Sequence, residues 1–116
     1  MHLLALTCTD DVQAELKQIK DKICSEVPAL KLGGNPKSPS EILKILQRKP
    51  NRVLSRITCD MIDYKIKATL ACLAARKKIT DECWGGVTDD RHKDVKDKLH
   101  ASIKNLLLIK EAMGCK

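Results

Sequence analysis

His92 is the residue whose type and setting point most directly to chemistry. It falls on an apolar stripe in what reads as the first turn of a helix. Asp89, Asp90 and Arg91 stand beside it, and the turn Trp84-Gly85-Gly86 comes just before. A helix N-terminus presents free N–H groups and the positive end of its dipole, so it holds an anion such as phosphate. An imidazole there, titrating near neutrality, suits proton transfer. The plainer alternative is a histidine that completes the core and hydrogen-bonds a loop carbonyl. Arg76, Lys77 and Lys78 flank the same turn from its other side, and Arg76, four residues after Cys72, borders a buried stripe. His92, Asp89, Asp90 and Arg76 therefore form a candidate catalytic group for phosphodiester cleavage. Arg91, Lys77, Lys78 and Trp84 are the candidate substrate contacts, and Lys93 adds to the basic rim. The plainer alternative here is a solvated, lysine-rich surface. With no Phe, one Trp and one Tyr, base stacking has only Trp84 and Tyr64 to draw on. Contact with a nucleic acid would fall on its phosphates.

Other chemistry is thinly represented. There is no Gly-rich phosphate loop, nucleophile elbow or H-E-x-x-H pair. His2 is terminal, and His100 lies two helical turns beyond His92, about 12 Å away, too far for both to hold one metal. Asp60 and Asp63 read as a solvated face, with Asp63 one turn from Lys67. Six cysteines, Cys8, Cys24, Cys59, Cys72, Cys83 and Cys115, are an even number in a short chain. That favours disulfides in an oxidising compartment over free buried thiols. No C-x-x-C or close Cys/His cluster supports zinc, and neither metal nor cofactor is expected.

The elements that must position these residues are helical almost throughout, and no stretch alternates cleanly with period two. Val12, Leu16, Ile19 and Ile23 mark a first helix over 10–26, with Thr9 as cap, Asp10 and Asp11 at the positive end, and Pro28 closing it. Gly33-Gly34-Asn35-Pro36 reads as a loop. Ser38-Pro39-Ser40-Glu41 is a capping box opening a short helix over 39–48, which Pro50 ends. A long third helix spans 52–82, with a break placed near Thr58. It carries one stripe of Val53, Ile57, Met61, Tyr64, Ala68, Cys72, Ala75 and Ile79 and a second of Ile62, Ile66, Leu70 and Leu73. So broad an apolar surface predicts contacts on two sides, which makes this helix central. Thr88 is expected to cap a fourth helix whose stripe runs from His92 through Val95, Leu99, Ile103 and Leu106 to Met113, with Gly114 as a left-handed stop. The expectation is one all-α domain over 1–116, an antiparallel bundle of about four helices stapled by disulfides.

Helix geometry restricts the staples. Cys72 and Cys83 on one helix stand about 16 Å apart, whereas a disulfide needs Cα atoms within about 7 Å. A tight turn between the last two helices brings Cys59 level with Cys115, which predicts that bond. Cys8 and Cys24 lie near the two ends of the first helix and must reach Cys72 and Cys83. An up-down-up order makes the first and third helices parallel and predicts Cys8–Cys72 and Cys24–Cys83. The crossed pairing requires the opposite direction.

At 116 residues the chain is long enough for one core. With 43% hydrophobic and 32% charged residues it is globular rather than disordered. The core must be aliphatic, and no apolar run approaches the ~20 residues of a membrane span. The net charge of +7 favours a polyanionic target. Residues 1–7 (MHLLALT) are apolar but too short for a signal peptide and lack a basic n-region. Thr7 before Cys8 also departs from a lipoprotein cleavage site. Secretion is therefore expected as part of a larger precursor or after removal of an export signal.

The second half of the chain, residues 58–116, resembles the C-terminal toxin domains of bacterial polymorphic toxins, including those of rearrangement-hotspot (Rhs) and secretion-system effectors. The resemblance is carried by Cys59, Cys72, Arg76, Cys83-Trp84-Gly85-Gly86, Asp89-Asp90-Arg91-His92 and Gly114-Cys115. Cys8, Cys24 and the 33–36 loop have no counterpart in that pattern. The resemblance implies a domain cut from a secreted precursor, antibacterial activity and an acidic immunity partner. Such domains include nucleases, peptidases and membrane-active proteins, so the activity is not fixed by it. Two other classes fit the composition. One is a non-enzymatic, disulfide-stabilised extracellular helical binding module. The other is a membrane-disrupting helical toxin drawn to anionic lipid by its lysine-rich faces.

Overall fold

The structure is a computed structural model that describes residues 7–32, 34–49, 56–86 and 90–115. Among the described residues there are four helices and one short ribbon: α1 (Asp10–Ser25), β1 (Leu30–Leu32), β2 (Asn35–Lys37), α2 (Pro39–Arg48), α3 (Cys59–Cys83) and α4 (Asp90–Ala112). The expected Pro50 stop, the start of the third helix at 52, Val53 and the Thr88 cap lie outside the described residues.

Local chemistry accounts for the helix ends. Thr9 caps α1 by accepting the Val12 N–H at 3.2 Å. Ser38 caps α2 by accepting the Glu41 N–H at 3.2 Å. Its hydroxyl also donates to the Glu41 carboxylate at 3.2 Å, so Glu41 reaches back to the cap's side chain. Thr58 caps α3 through the Met61 N–H at 3.2 Å, which places the start of that helix at the break foreseen near Thr58. At the end of α4, Gly114 has φ +71°. The Gly114 N–H donates to the Glu111 carbonyl and the Cys115 N–H to the Lys110 carbonyl, both at 3.0 Å. These paired bonds form a Schellman motif, which needs its left-handed residue free of a Cβ.

Residues 30–37 depart from the all-helical expectation. Leu30–Leu32 and Asn35–Lys37 pair antiparallel with Leu30 opposite Lys37, Lys31 opposite Pro36 and Leu32 opposite Asn35. The two-residue connection contains Gly34 at φ +83°, a conformation such hairpins favour. In the alternation of an antiparallel ladder, Pro36 falls at a non-hydrogen-bonded pair, where its missing N–H costs nothing. Three-residue strands are too short to show a period in sequence.

The aliphatic core lies where the ribbon, α2, the start of α3 and the end of α4 converge. It comprises Leu30, Ile42, Leu46, Ile57, Ile62, Leu106 and Ile109, with Leu32, Leu43, Ile45, Ile66 and Met113 packed around it. α1 and α4 both lie against α3, and α2 lies against α4. Toward the other end of α3 the buried residues are small or polar: Thr69, Cys72, Thr80 and Cys83. No residue from 91 to 105 is buried.

All three disulfides radiate from α3. Cys59 bonds to Cys115, the pair expected from the hairpin. The other two are Cys8–Cys83 and Cys24–Cys72, not Cys8–Cys72 and Cys24–Cys83. The physical reason is direction. The start of α1 meets the end of α3, so α1 runs against α3 rather than with it. α4 also opposes α3. Lys96 donates to Thr80 and Lys110 pairs with Asp63 at 2.8 Å, so residue numbers rise on one helix as they fall on the other. Asp63 thus pairs across to α4.

The buried line of α3 also differs from either predicted stripe. Met61, Tyr64 and Leu70 are 40%, 62% and 50% exposed, while Ile62, Lys65, Thr69, Cys72, Thr80 and Cys83 are buried. On a helical wheel this line runs between the two stripes. With α1 on one flank and α4 on the other, the residues midway are enclosed by both, whatever their polarity.

Candidate functional site

The candidate site lies where α3 ends and α4 begins. Gly85 and Gly86 follow α3 at φ +61° and +81°, and both the Trp84 and the Gly86 N–H donate to the Thr80 carbonyl at 3.0 Å. This turn sends the chain back sharply and leaves Trp84 half-buried. The N-terminal segment closes the end of α3 from outside. The Thr7 N–H donates to the Cys83 carbonyl at 2.6 Å, and the Thr7 hydroxyl donates to the Glu82 carbonyl at 2.7 Å. These are carbonyls a helix C-terminus leaves without intrahelical donors. The Cys8–Cys83 bond holds the segment there.

Asp89 lies outside the described residues, and Asp90 is described only as the first residue of α4. Arg91 and His92 are exposed. His92 therefore does not complete the core, contrary to its place on the apolar stripe. Of that stripe only Leu106 is fully buried, with Met113 partly so.

Arg76 is half-buried on the enclosed line of α3, one turn from both Cys72 and Thr80. Its Nε is sequestered and meets no hydrogen-bond partner among the described residues. The Thr80 hydroxyl donates to the Arg76 carbonyl at 3.2 Å and accepts from Lys96 Nζ at 3.1 Å, which ties α4 to α3. On the α1 side, Asp21 is held below the usual carboxylate range. Its hydrogen bond and ion pair with Lys20 at 2.7 Å are the main cause, and Arg76 and Lys17 contribute from further away. Lys77 pairs with Asp81 at 2.6 Å within α3, and Lys78 is exposed.

The Thr80–Lys96 link sets the register of the site. Arg76 lies one turn from Thr80 away from the bend, and His92 lies one turn from Lys96 toward it. The two backbone positions are thus about 12 Å apart along the hairpin. The structure brings His92, Arg91, Lys93 and Trp84 to one end of the molecule. It sets Arg76 two turns deeper, half-buried in the seam between helices, with the exposed Lys77 and Lys78 next to it on α3. The resulting basic surface can hold phosphates by charge. Among the described residues no group of three His, Cys, Asp or Glu side chains could hold a metal ion.

Lys65 is a residue the sequence reading missed. It is buried, and its Nζ donates to the Pro28 carbonyl at 2.5 Å. Burial pushes its pKa below the ordinary lysine value of 10.5. The available signal was its spacing, three residues after Ile62 and four before Thr69, on the line midway between the two aliphatic stripes. Lys96, half-buried on α4 and donating to Thr80, was also missed.

Comparison with protein-family models, curated proteins and solved structures returns no match.

Proposed function

We propose that the chain is a secreted effector or toxin domain, of the bacterial polymorphic-toxin type, that acts on a polyanionic target. The observation that carries this reading is the series of exposed cations that runs from Lys77 and Lys78 on α3 to Arg91 and Lys93 on α4, with an exposed His92 among them, in a chain of net charge +7. Three disulfides fit residence in an oxidising compartment, whether the domain is released from a larger precursor or loses an export signal. The helices are read as an antiparallel bundle that presents this end to the target. The target in this reading is a nucleic acid gripped through its phosphates, and the reaction is phosphodiester cleavage. His92 moves the proton, aided by Asp89 and Asp90. Arg91, Lys77 and Lys78 hold the phosphate with Trp84 at their edge. Arg76, in the seam, contributes its field. An acidic immunity protein would cover the same basic end.

The test is inducible expression in bacteria, directed in separate strains to cytoplasm and periplasm, scored for growth arrest and for RNA and DNA integrity. Degraded nucleic acid that stays intact with His92→Ala supports the reading. Growth arrest with intact nucleic acid overturns the nuclease assignment, and full toxicity of His92→Ala overturns the role of the imidazole.

A second reading rests on a different observation. The ~12 Å between the levels of Arg76 and His92, together with Tyr64, Leu70 and Leu107 each at least half exposed, suits a non-enzymatic extracellular binding module. No described helix is long and apolar enough to cross a membrane. Dye release from anionic vesicles would instead identify a membrane-disrupting protein.

A further inference from the structure

We infer that the fold carries a redox-released helix: a dithiol reductant frees α1 from α3 while the aliphatic end of the molecule stays folded. The inference is independent of the proposed target. It rests on how differently the two ends are held. The core cluster draws on the ribbon, α2, the start of α3 and the end of α4, and on no residue of α1. α1 buries one large aliphatic side chain, Leu16, while Val12 and Ile19 are 37% and 44% exposed. Besides its packing along α3, it is tied there by two covalent bonds, Cys8–Cys83 and Cys24–Cys72, which join residues 75 and 48 positions apart. The Thr7 hydrogen bonds to Glu82 and Cys83 hold only while the first of these bonds keeps Thr7 in place. A free helix of 16 residues is marginal in water.

A thiolate of the dithiol attacks one sulfur of the cystine and forms a mixed disulfide. The second thiol of the reagent then closes its own ring. Two electrons pass to the cystine, and the two protons of the dithiol end on the cysteine sulfurs. Cys59–Cys115 differs in consequence. Its flanks are held by buried Ile57, Ile62 and Ile109 and by the Gly114 motif, so its opening leaves its neighbours in place. Departure of α1 uncovers the seam of α3 and adds Lys65 and Arg76 to the exposed cations. Transfer from an oxidising to a thiol-rich compartment thereby changes the charged surface of the molecule.

Hydrogen exchange read by mass spectrometry, on the native chain with and without dithiothreitol, tests this. On reduction, amides of 10–25 should lose protection by about 30-fold or more, the equilibrium equivalent of one lost cross-link. Amides of 42–48, 59–66 and 106–112 should keep most of theirs. The four-site variant Cys8→Ala/Cys24→Ala/Cys72→Ala/Cys83→Ala should behave like the reduced chain without reagent. Cys59→Ala/Cys115→Ala should leave α1 protected. Retention of protection in α1 after reduction or in the four-site variant overturns the inference. So does simultaneous loss at both ends, including outright failure of the four-site variant to fold.

Discussion

His92 and Lys65 are opposite cases of a titratable side chain, one exposed at the bend and one enclosed in the seam. Replacing His92 with Ala should remove any nucleolytic activity and leave the melting temperature unchanged, since an exposed side chain contributes little packing. Activity assays beside a thermal melt check both halves of that statement. Lys65 makes a prediction about pH. Its folded-state pKa lies below the 10.5 of the unfolded chain, so between those values the unfolded state binds more protons and stability rises with pH. Below the folded value both states are charged and the full cost of burying the charge persists. Lys65→Met should remove this alkaline rise, while denaturant melts of the native chain retain it. A neutral amine still donates to the Pro28 carbonyl, so the hydrogen bond survives the titration.

At the scale of elements, the caps and stops carry the folding signals. Ser38→Ala and Thr58→Ala should each cost about 1 kcal/mol, the usual worth of an N-cap. Gly114→Ala should cost about 1–2 kcal/mol, because a Cβ is forced into the left-handed region, and thermal unfolding measures all three. The Ser38 cap and the Gly114 stop were legible in the sequence because a cap or a stop is decided within four or five residues, whereas Thr58 was marked only as the place of a break. The direction of α1 was not. Cys8 and Cys24 satisfy either pairing from α1 alone, and the choice depends on the route of the chain between 26 and 58, which no local rule fixes. The ribbon was hidden by its three-residue strands. The place of Lys65 was hidden for another reason: hydrophobic stripes mark the flanks of a helix packed on two sides, and the enclosed midline between them admits polar side chains. For the candidate site, the basic residues and the turn were legible. The depth of Arg76 relative to His92 was not, because it depends on the Thr80–Lys96 register.

The whole molecule is elongated, 52 × 27 × 26 Å with a radius of gyration of 17.0 Å, against about 13–14 Å for a compact chain of this size. Its stability is accordingly uneven along the long axis. Ile62→Ala or Ile109→Ala in the filled end should cost about 2–5 kcal/mol. Leu16→Ala should cost less, because few aliphatic neighbours surround it, and denaturant melts of the three variants give the order. If about four phosphates are neutralised, affinity for a duplex should fall roughly a hundredfold between about 50 and about 200 mM salt. Lys78→Gln/Arg91→Gln should flatten that dependence, and an affinity indifferent to salt would remove the polyanion from consideration.

The one tryptophan of the chain, Trp84, directly follows Cys83, the cysteine that anchors the amino-terminal segment. A neighbouring cystine drains excited indole by accepting an electron, so the emission should be dim while that bridge is shut and brighten as it opens. The molecule thus contains an unlabelled optical gauge of its own oxidation, placed at the bend where ligand and reductant would both be felt.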